Sequence, residues 1–177
     1  PRLFVPDPKH VFLIGLGGGT VPIRWVADYP SVTMDVAEID PEVVSAAERY
    51  FGLARGDRMR VTAEDGRQHL RRTTTPYDVI LIDACLIDAI PFHLATRDFF
   101  TLARARLAPG GMVAMNIIGA LSGPGSKLFP AIHKTMREVF RTVYVFPVYI
   151  DKDPEPTHPR NIIVLGTDEA ALSREEI

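Results

Sequence analysis

The stretch Val11-Phe12-Leu13-Ile14-Gly15-Leu16-Gly17-Gly18-Gly19-Thr20 decides the fold. Four consecutive apolar residues that stop at glycines read as a short strand buried on both faces, as strands of parallel sheets are. The glycines let the backbone approach a neighbour closely, and the helix that follows would present its N-terminus at the same place. That helix is expected over residues 20–29, where Val21, Ile23, Trp25, Val26 and Tyr29 are apolar and Pro22 is tolerable only in the first turn.

Outward from this unit the alternation repeats. A second strand is expected over residues 32–39. Asp40-Pro41-Glu42 then reads as an N-cap, a proline at the first helical position and an acid in the first turn, with Gly52 as the C-terminal stop. Strand 59–62 leads to helix 65–72, and strand 78–83, with Val79-Ile80-Leu81-Ile82 at its centre, leads to helix 96–107. That helix is expected to end at the turn signal Ala108-Pro109-Gly110-Gly111, followed by strand 112–117 and helix 126–140. In the tail, strands 143–150 and 161–166 flank a polar, proline-rich stretch with no helix between them, which is a hairpin. The sum is an α/β fold: a doubly wound, mostly parallel seven-stranded sheet with a C-terminal antiparallel hairpin. Residues 1–177 contain no repeat, low-complexity tract or linker, so one domain is expected.

Composition agrees. The chain has 177 residues, 46% hydrophobic and 24% charged, enough for one core. A net charge of −2 and this apolar fraction exclude disorder, and one cysteine, Cys85, excludes a disulfide scaffold. With 20 basic against 22 acidic residues, no nucleic-acid partner is expected. The apolar runs fall far short of the ~20 residues that span a bilayer, and no signal peptide opens the chain, so no membrane association of this domain and a cytoplasmic location are expected. His10, His69, His133 and His158 show no metal-ligand spacing, so no metal is expected. Because the chain begins at Pro1, a processed protein or a piece of a longer one is expected.

In an open α/β sheet, ligands bind outside the carboxyl ends of the strands. After the first strand stand Gly15, Gly17, Gly18 and Gly19. After the second stands Glu38, 19 residues beyond Gly19, about the offset at which an acid accepts from the two hydroxyls of a ribose. Asp40 is read as a helix cap. After the third strand, Glu64-Asp65-Gly66 offers a carboxylate to an exocyclic amine such as that of adenine, a role compatible with capping the next helix. After the fourth, Asp83 and Asp88 lie in a loop of small and apolar residues, where the reacting end of a ligand would sit. A dinucleotide fold explains only the first two features, and Thr20 stands where its third glycine would be. Acids at the ends of three strands suit an adenosyl sulfonium better.

These residues resemble the spermidine synthase (polyamine aminopropyltransferase) family, which has the class I methyltransferase fold. The resemblance covers about residues 9–167. It is carried by Phe12-Leu13-Ile14-Gly15-Leu16-Gly17-Gly18-Gly19, Val36-Ala37-Glu38-Ile39-Asp40-Pro41, Glu64-Asp65-Gly66, Tyr77-Asp78-Val79-Ile80-Leu81-Ile82-Asp83-Ala84 and Leu107-Ala108-Pro109-Gly110-Gly111. It implies a nucleoside pocket formed by Gly15, Gly17, Gly18, Gly19, Glu38, Asp65 and Gly66, with Glu38 on the ribose and Asp65 on the adenine amine. It implies Asp83 and Asp88 beside the attacking amine as catalytic and substrate-binding groups, and Tyr149 helping to hold the polyamine. The implied activity is transfer of an aminopropyl group from decarboxylated S-adenosylmethionine to a polyamine such as putrescine, in an enzyme that could be a homodimer.

The family carries an aspartate where Gly18 stands, its catalytic loop is shorter than the one holding Asp83 and Asp88, and its N-terminal β-domain is not among these residues. An aspartate at position 18 would attract the bare ammonium of decarboxylated S-adenosylmethionine and repel the carboxylate of the intact molecule. Gly18 leaves two alternatives open: a small-molecule methyltransferase using S-adenosylmethionine, and a nucleoside-binding domain without chemistry. Elsewhere, Cys85 is read as a small loop residue, and His93, which follows Pro91-Phe92 within reach of the site, is read as structural, as a histidine at the start of a helix more often is. Arg67 belongs with neighbouring arginines to a solvated face, and Ile90, Phe92 and Leu94 either wall the pocket or contact a partner.

Overall fold

A computed structural model describes residues 4–84, 90–149 and 155–173. Strand β1 (His10–Ile14) is apolar at consecutive positions because its side chains enter two cores: Phe12 and Ile14 one, Val11 and Leu13 the other. It is the hub of a seven-stranded sheet of order β3-β2-β1-β4-β5-β7-β6. On one side it pairs in parallel with β2 (Thr33–Glu38), which pairs with β3 (Met59–Ala63). On the other it pairs in parallel with β4 (Tyr77–Ile82), which pairs with β5 (Leu107–Gly119).

Two helices, α1 (Thr20–Asp28) and α2 (Pro41–Tyr50), bury Trp25, Val44 and Ala47 in the core containing Leu13. Three others, α3 (Gly66–Arg72), α4 (Arg97–Arg104) and α5 (Leu128–Arg137), bury Leu70, Phe99, Phe100, Ile132 and Met136 against the opposite face. The expected doubly wound architecture is therefore present, with the chain leaving β1 towards β2 and returning on its other flank at β4. Such a reversal opens a crevice at the carboxyl ends of the two strands. None of the helices among the described residues is long and apolar enough to cross a membrane.

Three expectations need correction. The helix expected to run to residue 107 ends at Arg104, and Leu107 already pairs with Tyr77 as the start of β5. The next pair is Val79 with Met112, so Ala108-Pro109-Gly110-Gly111 bulges out within one strand rather than separating helix from strand. Pro109 has no N–H for a ladder and Gly110 takes φ 76°, which together force the irregularity. The fifth long helix begins at Leu128, behind a 3₁₀ turn at Pro124–Ser126, and ends at Arg137. In the tail, β7 (Arg160–Thr167) inserts between β5 and β6 (Thr142–Pro147), antiparallel to both.

A polar chain ties α3 to the sheet. The His69 ring stacks on Phe12 at 4.5 Å, with Nδ1 2.8 Å from Glu64 Oε1 and Nε2 3.0 Å from the Tyr77 hydroxyl. That hydroxyl donates to Asp35 Oδ2 at 2.9 Å, while Arg60 donates to Asp35 Oδ1 and Arg72 to Glu64. Desolvation pushes the His69 pKa below and the Tyr77 pKa above their ordinary values, and the two rings together link two carboxylates. Tyr77→Phe keeps the ring but strips the hydroxyl from both partners. It should cost about 1–3 kcal/mol, read as a lower urea midpoint at unchanged slope. An unchanged midpoint would mean that this chain does not hold α3.

Candidate functional site

Parallel register places one row of residues across the carboxyl edge of the sheet. Ile14 pairs with Ala37 on one side and Ile82 on the other, and Ile82 pairs with Met115. One step further along the strands, Glu38, Gly15, Asp83 and Asn116 therefore stand side by side. Gly15 N–H donates to the Ala37 carbonyl and Asp83 N–H to the Ile14 carbonyl, both at 2.9 Å. Gly15 takes φ 93°, and a Cβ there would lie 2.3 Å from the Asp83 carbonyl oxygen. The two loops touch backbone to backbone, which only glycine permits.

Above this row opens a cavity of about 440 Å³ lined by residues that include Gly15, Gly17, Glu38, Asp65, Gly66 and Asp83. Glu38 is 9% exposed, and both of its oxygens are held: Oε2 accepts from Leu16 N–H at 2.9 Å and Oε1 from Asp40 N–H at 3.0 Å. These backbone donors compensate for burying the charge and leave about half of the carboxylate's acceptor capacity for a ligand. Asp40 caps α2 through Glu42 N–H, as expected. Asp65 caps α3 through Gln68 N–H at 2.8 Å. Gly66 packs so tightly on Ile14 that a Cβ would come within 2.6 Å of its side chain.

The glycines divide. Gly15 and Gly17 line the cavity, whereas a Cβ at Gly18 would meet the Phe51 ring at 3.2 Å and one at Gly19 would meet Leu53 at 3.1 Å. Asp83 is exposed and accepts from Asn116 Nδ2 at 2.9 Å. It also borders a second, mainly apolar cavity of about 480 Å³ whose walls include Trp25, Leu81, Met112 and Phe146. Tyr149 lies outside the lining of both cavities, with the Arg160 guanidinium 4.8 Å above its ring. Asp88 and Cys85 lie outside the described residues.

Sequence reasoning did not assign two members of this site. His93 lines the cavity and bonds Asp65 through Nε2 at 3.0 Å. Asn116 orients Asp83, and its signal was a lone polar residue in the apolar run Met112–Ile117. Arg67, read as part of a solvated face, instead donates to the His93 carbonyl at 3.0 Å. Ile90 and Leu94 are buried, Leu94 in the cavity wall, while Phe92 is 84% exposed.

The spermine/spermidine synthase domain matches residues 1–171. The polyamine aminopropyltransferase of Vibrio vulnificus is 38% identical over 149 residues, which are 82% of this chain and 48% of that protein. The chain thus spans about half the length of that relative. A probable spermidine synthase from Corynebacterium glutamicum superposes with a TM-score of 0.80 at 25% identity, over 93% of this chain and 57% of that one. Human methyltransferase-like protein 13 in complex with SAH gives 0.78 at 25% identity, over 99% and 80%. The sheet and its C-terminal antiparallel pairing are those of the class I methyltransferase and spermidine synthase folds.

Gly15→Ala and Gly17→Ala separate close approach from backbone preference. Both residues have positive φ, but a Cβ at Gly17 meets nothing within 4 Å. Gly17→Ala should cost about 1–2 kcal/mol for the left-handed backbone alone, and Gly15→Ala distinctly more because β1 and β4 must part. Equal urea midpoints for the two variants would contradict the packing described.

Proposed function

The chain belongs to the spermine/spermidine synthase domain family, and from that premise we propose that it is an aminopropyltransferase. It moves an aminopropyl group from decarboxylated S-adenosylmethionine to an amine such as putrescine. The observation that carries this reading is the charge of the cavity. Among the described residues its lining holds five carboxylates, Glu38, Asp40, Glu64, Asp65 and Asp83, and neither lysine nor arginine. Both substrates are cations, whereas the pyrophosphate of a dinucleotide would be repelled.

In this reading Glu38 accepts from the ribose hydroxyls with the lone pairs its backbone donors leave free, and Asp65 accepts from the adenine amine. The sulfonium end then faces Asp83. The amine nitrogen attacks the carbon next to sulfur, a C–N bond forms, and the C–S electrons return to sulfur to give methylthioadenosine. An alkylamine with a pKa near 10 is mostly protonated at pH 7, and freeing its lone pair costs about 4 kcal/mol at 1.36 kcal/mol per pKa unit. Asp83 attracts the ammonium, orients it and accepts a proton, while Asn116 fixes the carboxylate.

One observation favours methyl transfer as a second reading. Gly18 offers no charge, and the Phe51 ring stands where a side chain would begin. Nothing at that turn discriminates against the carboxylate of intact S-adenosylmethionine. Calorimetry with both donors separates the readings: tighter binding of the decarboxylated form supports aminopropyl transfer, and tighter binding of the intact form supports methyl transfer. Asp83→Asn should lower turnover roughly 100-fold or more, with methylthioadenosine affinity changed less than threefold. Unchanged turnover would remove Asp83 from the mechanism.

A further inference from the structure

We propose that His93 is the positioning residue that makes Asp65 selective for an amino-substituted nucleobase; the inference rests on the nucleoside reading above. Asp65 has two oxygens and two duties. Oδ1 accepts from Gln68 N–H and caps α3, while Oδ2 is left outside the cap. The torsion that sets a carboxylate plane is broad, and one bond does not fix it. The second bond comes from His93 Nε2, 3.0 Å from Oδ2. A carboxylate only accepts, so Nε2 carries the proton, whether the ring is neutral or charged.

His93 is itself held from α3. Arg67, in the first turn of that helix, donates through Nη1 to the His93 carbonyl at 3.0 Å, and Thr96 then caps α4 through Phe99 N–H at 3.2 Å. Side chain and backbone thus stitch residues 91–96 to the start of α3. That start cannot retreat, because Gly66 lies against Ile14. The result is a carboxylate fixed in two directions on the cavity wall, bonded to the sole lining side chain among the described residues that can carry positive charge.

A carboxylate held in this way presents a pure acceptor to the base. An exocyclic amine donates to it, whereas a keto oxygen would set two acceptors face to face. Without His93 the carboxylate turns about its remaining bond, admits water as a donor to a keto group, and loses its preference.

The test compares methylthioadenosine with methylthioinosine, its 6-oxo counterpart, by calorimetry on the wild-type chain, His93→Ala and His93→Gln, with urea unfolding of each. The wild type should prefer the amino nucleoside by tenfold or more, the size of one charge-assisted hydrogen bond. His93→Ala should reduce that preference at least threefold, and His93→Gln, whose amide can still donate to Oδ2, should restore it. In turnover, His93→Ala should raise the KM for the nucleoside donor and leave kcat unchanged. Preference retained in a folded His93→Ala variant overturns the inference while the nucleoside reading stands. If His93→Ala does not fold, loss of preference in folded His93→Gln overturns it equally. A wild-type chain that binds neither nucleoside overturns the nucleoside reading, and this inference with it.

Discussion

The backbone contact between Gly15 and Asp83 is the constraint on which the site depends. It joins the loop after β1 to the loop after β4 at the point where the chain reverses direction in the sheet. Because these strands are parallel and in register, that single contact sets Glu38 on one side of Gly15 and Asp83 with Asn116 on the other. A side chain at position 15 would push the loops apart and separate the end of the cavity proposed to hold the nucleoside from the acid proposed to meet the amine. The apolar strands beneath it, buried on both faces, make the edge rigid.

Onto that edge the fold loads negative charge and manages each carboxylate separately. Glu38 is neutralised locally by two backbone N–H groups, Asp40 and Asp65 by helix N-termini, and Glu64 by Arg72 and His69. Asp83 is exposed, as Asp40 is, but it is held by the neutral amide of Asn116 rather than by a helix N-terminus. The acids proposed to recognise are thus braced by donors that cannot leave. The acid proposed to react keeps a neutral partner and stands between two cavities. The polar chain under α3 extends the bracing from Glu64 to Asp35 and fixes the helix whose first turn carries the proposed nucleobase wall.

Much of this was legible in the sequence, for reasons that can be named. The run from Val11 to Ile14 showed a two-faced burial that only an interior strand has, and Asp40-Pro41-Glu42 spelled out a helix start by capping chemistry alone. The acids after β2, β3 and β4 could be placed on one edge because parallel strands end together. What stayed hidden depends on contacts remote in sequence. His93 and Asp65 are 28 residues apart and share no periodicity, so nothing local announces their bond. The bulge at Ala108–Gly111 carries the residues of a helix-ending turn, and only its pairing with β4 shows it to be interior to a strand. The division of the glycines was equally invisible, since Phe51 and Leu53 reach Gly18 and Gly19 from the far end of α2.

A crystal structure of the chain with methylthioadenosine bound tests the central claim most directly. The account predicts both ribose hydroxyls within hydrogen-bonding distance of Glu38, the adenine amine on Asp65, and the sulfur turned towards Asp83. A nucleoside lodged in the apolar cavity beyond Asp83, or one touching neither Glu38 nor Asp65, would contradict it.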